Sequence, residues 1–102
     1  MNFDNLKNLI STHEGWEVDT IASTEGSLLI ELTLASGLEA VASLSVRPNG
    51  IILDCEVREW DEETCEETIL VEGNQAFSLN DEALETTLFN WIKTQISYAS
   101  EG

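Results

Sequence analysis

The sequence predicts an α+β domain: a four- to five-stranded antiparallel meander with an N-terminal and a C-terminal helix packed on one face. Three observations predict it. Apolar residues recur at helical spacing near both ends of the chain, over Phe3–Ile10 and Leu84–Ile96. Between them lie four runs in which apolar residues alternate with polar ones. Short turn signals separate those runs, and a sheet with one apolar face must bury it against something. The two amphipathic helices are the available cover.

Phe3, Leu6, Leu9 and Ile10 make the first helical stripe, with Asn2 or Asp4 as cap and Gly15 following the last turn. The helix is predicted over residues 3–14. Trp16, Val18 and Thr20 then alternate with Glu17 and Asp19 as a half-buried strand. After the turn at Glu25-Gly26, Leu28, Ile30, Leu32 and Leu34 face one way. After Ser36-Gly37, Leu38, Ala40, Ala42, Leu44 and Val46 do the same. The turn Arg47-Pro48-Asn49-Gly50 combines a fixed φ at proline with residues that tolerate positive φ. It leads to Ile51, Leu53, Cys55 and Val57, facing inward in a strand expected to end near Arg58. Glu67–Glu72 is expected to add an acidic edge strand, where charge blocks accidental pairing. Val71–Asn80 is expected to be a loop. Asn80 should cap a second helix over residues 81–98, with Leu79 and Leu84 as a hydrophobic staple. Leu84, Leu88, Trp91 and Ile92 form its stripe, with Ile96 near the edge and Phe89 off it. The terminal Ala99–Gly102 stretch is expected to fray.

A chain of 102 residues is expected to form one domain, residues 1–102. Its hydrophobic content of 42% is that of a folded protein, so the charge alone does not make it disordered. That charge is the unusual quantity. Twenty acidic residues stand against Lys7, Arg47, Arg58 and Lys93, for a formal net charge of −16. Solubility in a small domain is served by roughly 2–8 charges. The balance disfavours nucleic acid and membrane as direct partners and favours a basic protein, met through salt-sensitive association. No secretion signal or membrane span is visible, so a cytoplasmic location with reduced thiols is expected.

Several chemistries have no pattern here. No glycine-rich loop opens a helix, and no G-x-S-x-G elbow occurs. His13 is the sole histidine and falls near a predicted helix end, where the dipole favours it. Cys55 and Cys65 lack zinc-ligand companions; Cys55 faces the core, and a disulfide between the two is the minority expectation. The acids after Asp54 do not follow the EF-hand order of ligands. No enzyme activity, metal or cofactor is therefore expected.

What remains is the acidic stretch itself. Asp54, Glu56, Glu59, Asp61, Glu62, Glu63, Glu66 and Glu67 fall within 14 residues and only Arg58 opposes them. Trp60 sits among them, either as a core anchor or as a surface hot spot. These nine residues, the eight acids and Trp60, are the candidate partner-binding site. The acids are expected to merge with Glu72 and with Glu31 or Glu39 on neighbouring strands. Glu17 and Asp19 either join them or form a second patch. In charge and size the chain resembles phage-encoded DNA mimics, including some anti-CRISPR and anti-restriction proteins. The resemblance implies an immunity-type inhibitor that blocks a basic partner, a nucleic-acid-binding complex or a nuclease. A small dimeric acidic chaperone or adaptor is the alternative, since secretion chaperones are similar in size, charge and helix-then-meander start. A third possibility is a domain whose charge serves solubility alone.

Overall fold

The computed structural model describes residues 3–101. The elements run α1 (Asp4–Ser11), β1 (Trp16–Thr24), β2 (Ser27–Leu34), β3 (Glu39–Arg47), β4 (Gly50–Asp61), β5 (Glu66–Phe77) and α2 (Leu84–Glu101). The five strands lie side by side in chain order, and every neighbouring pair is antiparallel. Both helices cover the same face. Helix α1 packs on β1, α2 packs on β4 and β5, and the helices touch each other.

Alternation across the three central strands is as the sequence predicts. Leu28, Ile30, Leu32 and Leu34 of β2 are buried, as are Ala40, Ala42 and Leu44 of β3 and Ile51, Leu53, Cys55 and Val57 of β4. They meet Phe3, Leu6 and Ile10 from the first helix region and Leu84, Leu88, Ile92 and Ile96 from the second in one core. A fully buried side chain of this type contributes about 1.5–3 kcal/mol. Phe89, which the helical stripe leaves out, is buried as well. Its ring lies against His13 and Trp16, with centroids 5.9 and 5.7 Å away, so the cover over β1 widens the apolar face of α2.

The first helix is shorter than predicted. It ends at Ser11, and the Thr12 hydroxyl donates to the Asn8 carbonyl at 2.8 Å. Gly15 is left to turn the chain at φ 89° into β1. His13 is therefore not part of the helix end. Its ring stacks on Trp16 at 3.9 Å, and its Nδ1 is buried with no hydrogen-bond partner among the described residues. At the other end Phe3 is the N-cap residue in a left-handed conformation, with no side-chain cap of its own. Asp4 lies in the first turn instead of capping it, and Asn2 lies outside the described residues. A distant residue supplies the missing acceptor: the Glu85 carboxylate takes the Leu6 N–H at 2.8 Å. A carboxylate there also meets the positive end of the helix dipole. Replacing Glu85 by alanine is expected to lower stability by about 1 kcal/mol, the usual value of an N-cap, as read by urea denaturation. No change would mean that water replaces the carboxylate without loss.

Three further differences arise at strand and helix ends. In β1 the pairing with β2 shifts between Val18 and Thr20, making Asp19 a bulge. Thr20 thereby moves to the outer face opposite Glu31, and Ile21 comes opposite the buried Ile30. Strand β4 runs on past Arg58 to Asp61, and β5 extends to Phe77 through the segment predicted as a loop. Gly73 explains that extension. It pairs with Cys55 beneath α2, and a Cβ there would stand 2.5 Å from Gln95 Oε1 and 3.2 Å from Trp91. A turn-like glycine is thus a close-packing site within a strand. Finally, α2 starts at Leu84 and not Asp81, and it continues through Glu101 where fraying was expected. Asp81 takes the capping role assigned to Asn80: its carboxylate accepts from the Ala83 N–H and the Thr87 hydroxyl, both at 2.9 Å.

Candidate functional site

Among the described residues no element covers the sheet face turned away from the helices. The strand register lays its residues out in rows. One row reads Thr20, Glu31, Val41, Glu56, Glu72 from β1 to β5. The next reads Glu17, Thr33, Glu39, Arg58, Ile69, and on the other side Leu29, Ser43, Asp54 and Asn74 align. Glu17, Glu31, Glu39, Asp54, Glu56 and Glu72 therefore share one surface. The Asp19 carboxylate joins them at the bulge, accepting from the Thr33 hydroxyl at 2.6 Å. Neighbouring strands lie about 4.8 Å apart and same-face residues of one strand roughly 7 Å apart. Both spacings fall within the ~10 Å screening length at 0.1 M salt, so the charges act together.

Beyond the Glu39–Arg58 pair, β3 stops accompanying β4. The last residues of β4 and the first of β5 project as a two-stranded ribbon. Trp60 and Glu67 pair on its outer face, while Glu59 with Thr68, and Asp61 with Glu66, pair on the opposite face. Glu62 and Glu63 sit in the turn. The Glu63 N–H donates to Asp61 Oδ1 at 2.9 Å, and Cys65 closes the turn at φ 57°. All six carboxylates of the ribbon are exposed.

Of the nine residues singled out from the sequence, Asp54, Glu56, Trp60 and Glu67 thus share the outer face. Glu59, Asp61 and Glu66 lie on the ribbon's other side, with Glu62 and Glu63 at its tip. Trp60 is 52% exposed and takes no part in the core. A residue that sequence reasoning missed joins it. The β4–β5 pairing slips by one between Val57 and Arg58, leaving Leu70 as the extra residue. The slip turns Ile69, 51% exposed, onto the outer face diagonal to Trp60. Nothing in the local sequence marks that bulge.

Cations are scarce on this face. Arg47 stands at the far turn, and Arg58 lies in the middle of the acids. Arg58 reaches Glu56 Oε2 through Nη2 at 2.6 Å and Nε at 3.0 Å, and Glu67 Oε1 through Nη1 at 3.5 Å. The Glu56 hydrogen bond raises the guanidinium pKa further above its ordinary value. These are the only ion pairs among the described residues. Asp19, Glu31, Glu39 and Arg58 line a hollow of about 120 Å³. Among the described residues no three His, Cys, Asp or Glu side chains are arranged to hold a metal ion, and no helix is long and apolar enough to cross a membrane.

Both cysteines are free, one in the core and one at the ribbon tip. Burial, with a lesser contribution from the Glu56 charge, pushes the Cys55 thiol up to about 12. An unfolded thiol titrates near about 8.5. A folded value raised above the unfolded one contributes stability that is present below the unfolded pKa. It is lost as pH rises through the window between about 8.5 and about 12. Stability is expected to fall over that alkaline window and to fall less in Cys55→Ala. Native protein should lose one thiol to a neutral alkylating reagent, at Cys65, and the second only on unfolding. Mass spectrometry reads this directly; modification of Cys55 in the native state would contradict it.

Fold and surface together define an α+β meander protein with an acidic, uncovered sheet face and a projecting acidic hairpin. Comparison with protein-family models, curated proteins and solved structures gives no match.

Proposed function

We propose that the protein is a non-enzymatic inhibitor that lays its acidic sheet face and hairpin over the nucleic-acid-binding surface of a basic partner. The observation that carries this reading is the outer-face array of Glu17, Glu31, Glu39, Asp54, Glu56 and Glu72. These acids come from all five strands and are held in register with no helix above them. Charge on a paired sheet is preorganised, because the backbone fixes where each carboxylate starts. Duplex DNA presents about one negative charge per 1.7 Å of its axis, and proteins answer it with rows of Lys and Arg. A rigid carboxylate array on one face of a molecule 45 Å in its longest dimension can occupy such rows. The partner is then a nucleic-acid-binding complex or a nuclease, and binding excludes its nucleic acid.

The test is competition. Proteins captured from lysate at low salt by the immobilised protein are challenged with duplex DNA. Basic proteins that DNA elutes, and that are released as salt rises from about 50 to about 200 mM, are the expected result. Captured proteins that resist both would overturn the reading.

A further inference from the structure

Resting on that reading, the outer face also has a chemical preference among basic groups. We infer that Trp60 and Ile69, together with the carboxylates beside them, form a seat for an arginine side chain of the partner. Three observations converge on it. Trp60 and Ile69 are among the most exposed large apolar side chains, at 52% and 51%. Both lie where the ribbon leaves the sheet, outside the core, so the fold does not account for them. They occupy diagonal positions on one face, with Arg58 beside both and Glu56, Glu67 and Glu72 around them; Arg58 engages one oxygen each of Glu56 and Glu67, and Glu72 has no ion-pair partner among the described residues.

The second observation is that this face already holds a guanidinium. Arg58 lies there with Glu56 at 2.6 Å and Glu67 at 3.5 Å. Its two contacts to one Glu56 oxygen, through Nε and Nη2, use the fork that a lysine ammonium lacks. The third is charge: at −16, a second copy of the chain is repelled as the occupant, whereas a cationic side chain is drawn in.

Arginine matches the three features at once. Its planar head stacks on an indole face, its stem covers an aliphatic neighbour, and its fork meets carboxylates. Lysine shares the charge and the aliphatic stem but lacks the planar head and the fork.

The experiment uses two probes, nine-residue peptides of arginine only and of lysine only, titrated into ¹⁵N-labelled protein at about 50 mM salt. Expected are tighter binding of the arginine peptide, by roughly three- to tenfold, and a larger shift of the Trp60 indole N–H than the lysine peptide produces. The advantage should vanish in W60L and shrink in I69S. Trp60 lies outside the core, so W60L is expected to fold normally. Equal affinities for the two peptides would overturn the inference and leave the acidic-surface reading in place. An arginine advantage that persists in W60L would also overturn it. Failure of both peptides to bind would remove both.

Discussion

Leu88→Ala is expected to lower the stability of the fold by about 2–5 kcal/mol, the range for a fully buried leucine truncated without collapse of the site. Leu88 is 0% exposed in α2, the helix that spans β4 and β5 and touches α1. Removing its branched end loses contacts in the single core that joins both helices to the sheet. Domains of this size are commonly stable by 5–15 kcal/mol, so the change is a large share of the total. Self-repulsion among the acids lowers the margin further. Urea denaturation should show the midpoint falling at unchanged slope, and thermal melting a drop of roughly 10–25 °C. A cost under about 1 kcal/mol would mean that α2 repacks and that the core is looser than described.

The second large effect separates binding from folding. Replacing Glu59, Glu62, Glu63, Glu66 and Glu67 with glutamine and Asp61 with asparagine removes six charges from the ribbon. Each is exposed, and only Glu67 has an ion-pair partner. The fold should keep its stability or gain some, since fewer like charges are held together. Binding to a basic partner should fall by tenfold or more, and its salt dependence should flatten. Six phosphate contacts on DNA correspond to about 10³ in affinity between 50 and 200 mM salt. A protein array at lower charge density stays below that. Stability and affinity thus move in opposite directions, which solubility alone would not produce. A variant that binds as before would sink the hairpin's part in the surface. Parallel replacement of Glu31, Glu39 and Glu72 by glutamine would then ask the same of the sheet face.

Much of this molecule is written in its local pattern. The inward residues of β2, β3 and β4 follow from strict alternation, because the side-chain period of a strand is two and one face must be buried. The two helices, their shared face and the meander order follow from apolar spacing and short turns. The charge, and the sign of any partner it attracts, follow from composition. Other features depend on contacts between distant residues. The Asp19 and Leu70 bulges each shift a register by one, and one residue decides which face a side chain takes. That shift is why Thr20 and Ile69 point outward. The length of β5 depends on Gly73 lying under Trp91 and Gln95, contacts 18 and 22 residues away that make a turn residue a strand residue. The cap on α1 comes from Glu85, across the whole chain. The merging of Glu17, Glu31, Glu39, Glu56 and Glu72 into one surface belongs to strand pairing. The sequence by itself determined the order of the elements and most of the core, because those rest on periods of two and 3.6 residues, and the charge, which rests on composition. Tertiary structure alone decided which acids stand together and that Trp60 stays outside, because pairing register and helix cover are set by residues far apart in the chain.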